Sequence, residues 1–253
     1  MRELERNPHL NALAPLPRCA VVGAGRLGHA LCPALRDAGV SVDGPLGRGA
    51  AAHEADVVLL CVPDAEIASA AGQVALGRLV GHCSGATGLD ALAPHEAFSL
   101  HPLMTVTHGG APFAGAGAAV AGTTPRARAT ATALAERLGL RPVAVAEEHR
   151  ALYHAAASLA SNYLLTLEAA AERLAAGAGV ERHALVPLVR ATVENWIELG
   201  AERALTGPVA RGDESTVRRQ HAAVEEHAPD LLPLFDALTE ATRGLTQPVG
   251  AAA

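Results

Sequence analysis

Short apolar runs alternate with helix-like segments in the first half of the chain. CAVVGAG (19–25) predicts a strand, and RLGHALCPALRDAG (26–39) predicts a helix that ends at Gly39. The run from Val57 to Val62 is continuously apolar, which is typical of a strand buried on both faces. Further strands are predicted in VSVDG, RLVGHCSG, AFSLHPL, AGAAVAG and RPVAVA, and helices in AEIASAAGQVA and PRARATATALAERLGL. This alternation predicts an α/β fold with a doubly wound parallel sheet over residues 18–147.

The pattern becomes helical at about Glu147 and stays so nearly to the end of the chain. We expect helices over residues 148–176, 182–204, 213–227 and 229–245. They make residues 148–253 an all-helical second domain, while residues 1–17 are a loose, polar leader.

Composition narrows the classes of function. The net charge is −6, and no basic run is interleaved with aromatic residues, which argues against nucleic acid or an anionic membrane as partner. No stretch of 18 apolar residues predicts a spanning helix, and the leader lacks the apolar segment of a signal peptide. The four cysteines form no Cys-x-x-Cys pair, so we expect reduced thiols, a cytoplasmic protein and no metal site. All 20 basic residues are arginine, which excludes lysine chemistry.

Three glycines stand between the first predicted strand and helix. Gly23 permits a tight turn, Gly25 lets a pyrophosphate approach the backbone, and Gly28 lets helix and strand pack closely. Arg26 and Leu27 complete the turn, where the start of a helix offers free N–H groups to phosphates. This context after a strand predicts a dinucleotide site, the alternative being a glycine turn with no ligand.

Two residues bear on which dinucleotide is bound. Asp43 follows the glycine turn by about 20 residues, which is the sequence spacing of the acid that holds the ribose hydroxyl of NAD. Arg48 follows the expected end of the second strand, where a guanidinium can grip a 2′-phosphate. We therefore expect NADP rather than NAD, the alternative being an ordinary solvated arginine.

Ligands of open parallel sheets lie across the carboxyl ends of the strands. Three such ends carry small or polar groups, and we expect them to face the cofactor or the substrate. The candidates are Cys61, Val62, Pro63, Ser84, Gly85 and His101. A structural role for His101 is the alternative.

The first helix of the second domain carries a polar stripe. His154, Ser158 and Asn162 are spaced four apart among alanine and leucine, so they share one helix face. A row of polar groups facing a cleft would hold substrate, unless these side chains bond to neighbouring helices or to their own backbone. Arg211 is a further candidate to bind a substrate carboxylate or phosphate, unless it is simply solvated.

These motifs resemble a known family. The glycine turn, VLLCVPD, the Ser-Gly and His-Pro strand ends, YHAAASLASNY and ALTGPVARGD are similar to bacterial Rossmann-like proteins provisionally described as NADP-dependent oxidoreductases. Their helical C-terminal domain has no assigned function, and the resemblance covers about residues 18–245. The wider superfamily includes 6-phosphogluconate dehydrogenase, β-hydroxyacid dehydrogenases, ketopantoate reductase and pyrroline-5-carboxylate reductase. The resemblance implies a Rossmann-type domain, a nicotinamide cofactor and a helical second domain. The alanine and leucine content of that helical domain is the ground for expecting a dimer interface there.

The chain departs from the hydroxyacid members of that superfamily in one respect. Those proteins carry a lysine general acid and a substrate-binding asparagine one turn apart, and here Ser158 and Asn162 would take the two places. His154 or His101 is then the candidate proton donor. We expect hydride transfer between NADP and a small carbonyl, imine or hydroxy acid bound between the domains, in a homodimer formed through the helical domain. The alternatives are a non-catalytic dinucleotide sensor, favoured by the missing lysine, and a divergent prephenate-type dehydrogenase, which HPLM resembles.

Overall fold

The computed structural model describes residues 17–47, 49–50, 52–107 and 109–246, and within these it shows one seven-stranded sheet. The strands are β1 (Cys19–Val22), β2 (Val42–Leu46), β3 (Val57–Leu60), β4 (Leu79–His82), β5 (Glu96–Leu103), β6 (Gly117–Gly122) and β7 (Arg141–Ala144). The helices are α1 (Arg26–Asp37), α2 (Ile67–Ala71), α3 (Pro125–Arg137), α4 (Arg150–Ser158), α5 (Leu164–Gly177), α6 (Arg182–Leu199), α7 (Ala201–Ala204), α8 (Glu214–His227) and α9 (Leu232–Leu245). The predicted leader lies almost wholly outside the described residues.

The sheet has the order β2-β1-β3-β4-β5-β6-β7. Strands β1 to β5 are parallel to one another, which confirms the Rossmann-type prediction. One pairing departs from the parallel arrangement that we expected, because β6 runs antiparallel to β5. A parallel return needs a crossover, usually a helix, and the described residues between β5 and β6 form none.

Alternate residues of the buried strands face two separate cores. Cys19 and Val21 belong to the core on one face of the sheet, together with Leu31 and Leu35 of α1. Ala20 and Val22 belong to the core on the other face. Every residue of β1, β3 and β4 is buried, as the continuous apolar runs predict. The carboxyl ends of the parallel strands β1, β3, β4 and β5 therefore lie along the same side of the sheet, which we call the sheet edge.

The chain divides into two compact units, residues 1–161 and 162–253. We expected the boundary after residue 147, whereas the first unit extends to residue 161 and includes α4. The helix predicted over 148–176 is found as α4, a π-helical turn (Leu159–Tyr163) and α5. The helix predicted over 182–204 is interrupted at Gly200, whose φ of +76° is the conformation that ends α6.

Two further expectations concern the membrane and the thiols. Among the described residues, no helix combines the length and the apolar character needed to span a bilayer. Cys19, Cys32, Cys61 and Cys83 are all free thiols.

Candidate functional site

The glycine turn after β1 is packed so closely that two positions accept no side chain. Gly23 has φ +121°, and a Cβ there would lie 2.2 Å from the carbonyl oxygen of Cys61. A Cβ on Gly28 would lie 1.9 Å from the carbonyl oxygen of Gly23. Both distances are far below van der Waals contact, so the first and third glycines are required by the approach of α1 to β1 and β3.

Gly25 differs from the other two, because a Cβ there would meet no heavy atom within 4 Å. It precedes Arg26, the first residue of α1, so the unsatisfied N–H groups and positive dipole end of that helix are directed to this opening. A cleft of about 460 Å³ lies here, lined by Ala24, Gly25, Arg26, His29, Ala30, Thr107, Gly109 and Gly110. An open position at Gly25 and a bare helix start fit a pyrophosphate.

Asp43 and Arg48 bear on the choice between NAD and NADP, and the structure describes only the first of them. Arg48 lies outside the described residues. Asp43 is the second residue of β2 and not its end, and Arg18 donates two hydrogen bonds to its carboxylate, at 3.2 and 2.8 Å. One oxygen of the Asp43 carboxylate is therefore paired with Arg18. The residues that follow the end of β2 are Gly47, Arg48 and Gly49.

After β3 the chain presents mainly backbone to the glycine turn. The Cys61 carbonyl faces Gly23, whereas the Cys61 thiol lies 3.8 Å from the sulfur of Cys83. The hydrogen bond with Cys83 and burial raise the pKa of Cys61 well above its usual value. Val62 is half-buried, and Pro63 is exposed and precedes the 3₁₀ turn Asp64–Glu66.

After β4 the loop is shaped by Ser84. Its hydroxyl donates to Asp64 at 2.7 Å and accepts from the backbone N–H groups of Ala86 (3.1 Å) and Thr87 (2.9 Å). One donor and two acceptors account for the hydrogen-bonding capacity of a serine hydroxyl. The Ser84 side chain therefore holds the conformation of the loop. Its hydroxyl is not available to a ligand, so the groups that the loop offers to a ligand are those of its backbone.

Gly85 leaves room for both of the predicted histidines, because it has no side chain. A Cβ at Gly85 would lie 2.8 Å from Cδ2 of His154, 2.9 Å from Cε1 of His101 and 3.0 Å from Nε2 of His101. The two imidazole centroids are 6.2 Å apart. The structure thus brings together residues from the loop after β4, from β5 and from α4, all within the first unit.

His101 is held in a neutral state by its surroundings. Its pKa is lowered to about 4, mainly by burial and also by the charges of His154 and Arg150, while Asp64 acts in the opposite direction. Nδ1 of His101 lies 2.8 Å from the phenol oxygen of Tyr153. At neutral pH this imidazole is therefore uncharged, with one ring nitrogen already engaged.

Arg150 is a buried cation that sequence reasoning missed. Its side chain is 4% exposed, and Nη2 donates to Oγ of Ser99 at 2.9 Å. Nε lies 3.3 Å from a carboxylate oxygen of Glu147, and Nη1 donates to the Ser84 carbonyl at 3.5 Å. Arg150 thereby joins α4 to β5 and to the loop after β4, and nothing in its local sequence distinguishes it from a surface arginine.

The remaining candidates are Ser158, Asn162 and Arg211. Ser158 is half-buried at the end of α4. The π-helical turn that follows adds one residue to that turn, so Asn162 no longer continues the four-residue spacing of His154 and Ser158. Asn162 and Arg211 belong to the second unit, where both are exposed.

Comparisons with known proteins agree with this architecture. Residues 117–242 match the family model "Domain of unknown function (DUF2520)". A Bacteroides fragilis structure provisionally named an NADP oxidoreductase is 19% identical, with a TM-score of 0.77 over 90% of this chain and 98% of that one. A Thermotoga maritima structure is 22% identical, with a TM-score of 0.75 over the same shares.

A reductive aminase from Aspergillus terreus, solved with NADPH and ethyl levulinate, is 16% identical and has a TM-score of 0.65 over 90% of this chain and 94% of that one. No curated protein matches the chain. These likenesses show a Rossmann-type fold followed by a helical C-terminal domain, which is the fold that the motifs predict.

Proposed function

We propose that this chain is an NADP-dependent oxidoreductase that transfers a hydride between the nicotinamide and a small carbonyl, imine or hydroxy acid. One observation carries the proposal. A Cβ at Gly85, which follows a strand end on the same side of the sheet as the glycine turn, would lie within 3.0 Å of the imidazoles of both His101 and His154. Two titratable side chains converging on a bare backbone position are a pattern of active sites.

The pyrophosphate is assigned to the glycine turn and the start of α1. Gly25 leaves its backbone open, and the N–H groups of Arg26, Leu27 and Gly28 belong to the first helical turn. Leu27 contributes only its backbone, because its side chain packs against the core. The segment 61–63 and the loop at Ser84 and Gly85 border the same sheet edge and are assigned to the nicotinamide half.

The choice of NADP rests on the end of β2. Asp43 is engaged by Arg18, which favours Arg48 as the residue that meets this part of the cofactor. Structural neighbours named with NADP or NADPH support the same choice. We expect Arg48→Ala to weaken NADPH binding by at least about tenfold and to leave NADH binding nearly unchanged, whereas Asp43→Asn should leave the preference intact.

The bound cofactor supplies the hydride, and the protein supplies position and a proton. In the direction of carbonyl reduction, hydride adds to the carbonyl carbon, the electron pair of the double bond moves to oxygen, and the oxygen takes up a proton. We assign to His101 and His154, which lie beside Gly85, the roles of holding that oxygen and moving that proton. Ser158, Asn162 and Arg211 remain candidates for substrate contacts.

The experiment is a turnover assay with NADPH deuterated at the transferred position and a panel of small keto acids, ketones and imines. Deuterium in the product, with turnover reduced at least about a hundredfold in His101→Ala or His154→Ala, supports the proposal. Tight cofactor binding with no transfer across the panel would overturn it in favour of a dinucleotide sensor.

We further propose that the helical unit pairs with a second copy of this chain. Helix α6 has no buried residue over its 18 positions, and Leu188, Trp196 and Ile197 are 65%, 58% and 62% exposed. Apolar side chains of this size along one helix favour an apolar partner. Sedimentation velocity should show a dimer that Ile197→Asp dissociates, with Glu198→Asp as the matched control, and a monomeric wild type contradicts the proposal.

A further inference from the structure

We infer that Tyr153 fixes His101 in the tautomer that carries its proton on Nε2, so that a neutral N–H donor faces Gly85 and receives the carbonyl oxygen of the substrate. The inference rests on the proposed function and deepens it. It assigns a role to Tyr153, the first residue of YHAAASLASNY and not one of the candidate site residues named from the sequence, and it favours carbonyl compounds over imines.

The direction of the hydrogen bond follows from the surroundings of the phenol. Burial raises the pKa of Tyr153, so its oxygen keeps its proton at neutral pH. The backbone of Ala119 bonds to the same oxygen and lowers that pKa by a smaller amount, as an N–H donor does. The phenol therefore accepts from the backbone and keeps its own proton, and we assign that proton to Nδ1 of His101, which lies 2.8 Å away.

The charge state of His101 follows from what surrounds its ring. Burial is the largest cause of its low pKa, and three of its four charged or titratable neighbours act in the same direction. The neighbours are His154 and Arg150 on α4, His82 on β4, and Asp64, which alone favours the charged form. At pH 7 the ring is neutral and holds one proton. With Nδ1 accepting from Tyr153, that proton must be on Nε2.

The Nε2 side of the ring is the side that reaches the proposed site. A Cβ on Gly85 would lie 3.0 Å from Nε2 and 2.9 Å from Cε1, whereas Nδ1 faces Tyr153. A neutral donor at this place stabilises the negative charge that develops on a carbonyl oxygen as hydride arrives. An imine is instead reduced in its protonated form, whose N–H needs an acceptor, and a ring nitrogen that carries a proton offers it none. The arrangement therefore favours ketones, keto acids or aldehydes, and the proton that the oxygen finally takes up is assigned to His154.

Tyr153 is accordingly a positioning residue, and its test needs a readout that loss of packing alone does not move. Long-range ¹H–¹⁵N spectra of the histidine rings report which nitrogen is protonated. In the wild-type protein at pH 7, the His101 signals, assigned by their loss in His101→Gln, should show a protonated Nε2 and an unprotonated Nδ1. In Tyr153→Phe the two tautomers should mix. Tyr163→Phe, which changes the exposed second tyrosine, is the matched control and should leave the wild-type pattern.

Kinetics give the second readout. Tyr153→Phe should lower kcat for the best keto substrate by about tenfold with little change in the KM for NADPH, because it alters a donor used in the transition state. A wild-type His101 protonated on Nδ1, or a Tyr153→Phe spectrum identical to the wild type, overturns the inference even if the enzyme turns over. If His101 is protonated on Nε2 but the protein transfers no hydride, the assignment of the tautomer stands and only the proposed function is overturned.

Discussion

The phenol oxygen of Tyr153 lies 2.8 Å from Nδ1 of His101, and the two rings meet edge to face with centroids 5.6 Å apart. One residue belongs to α4 and the other to β5, 52 positions earlier in the chain. This contact, together with Arg150, anchors α4 to the sheet. It places His154, one residue after Tyr153, against Gly85, so the histidine pair is a product of tertiary packing.

Gly28→Ala should strongly destabilise the protein. The new Cβ would lie 1.9 Å from the Gly23 carbonyl oxygen, and backbone cannot move aside as a side chain can. We expect a loss of at least about 3 kcal/mol in urea unfolding. Gly72→Ala is the matched control, because its Cβ would meet nothing closer than 3.5 Å. Equal stability of the two variants would show that α1 does not approach β1 as described.

Gly85→Ala should impair turnover more than stability. The added methyl would come within 3.0 Å of both imidazoles, which can rotate or shift to avoid it. Displacing His101 and His154 should reduce kcat at least about tenfold, while the unfolding free energy changes by no more than about 2 kcal/mol. Steady-state kinetics and urea unfolding on the same preparation check both. A Gly85→Ala enzyme with wild-type kcat would remove Gly85 from the site.

Arg150→Met should cost about 1–3 kcal/mol of stability, because the buried Ser99 hydroxyl loses its donor while the apolar side chain retains the volume. Removing this positive charge should also raise the pKa of His101, since Arg150 is one of the charges that lower it. Ring titration by NMR and urea unfolding measure the two effects. Arg150→Lys should preserve the charge and recover only part of the hydrogen bonding. An unchanged His101 titration in Arg150→Met contradicts the coupling.

Stability should decline with acid through His101. Its pKa is about 4 in the folded protein and about 6.5 in the unfolded chain. As the pH falls below the pKa of the unfolded chain, His101 gains a proton in the unfolded state and not in the folded state. The contribution of His101 to the free energy of unfolding is therefore complete above that pH and is lost progressively as the pH falls toward 4. The loss amounts to at most ~3 kcal/mol. Urea unfolding between these two pH values should show a shallower decline in His101→Asn, and an identical slope contradicts the assignment.

The glycine turn could be predicted because its constraint is local. Three glycines at fixed spacing, a buried strand before them and a helix after them already specify a close approach of backbone to backbone. The buried strands could be predicted for a similar reason, since a continuous apolar run has few other solutions in an α/β chain.

The site around His101 could be predicted only in part. His101 and His154 stood out by type and position, but their meeting at Gly85 depends on packing between distant segments. Arg150 carries no local signal, because only its burial separates it from a solvated arginine. The antiparallel pairing of β6 was missed for the same reason. Strand direction depends on the route of the connection, and the sequence of β6 does not indicate whether it pairs with β5 in the parallel or the antiparallel direction.

Cofactor binding by the glycine turn is the central claim, and a titration of the purified protein with NADPH tests it most directly. Gly25 has open space around it, so Gly25→Val should fold as the wild type does, judged by circular dichroism and thermal unfolding. The wild type should bind NADPH at one site per chain. Gly25→Val should weaken that binding at least about a hundredfold by obstructing the phosphates. A wild type that binds no NADPH, or a folded Gly25→Val protein that binds it with wild-type affinity, would contradict the account.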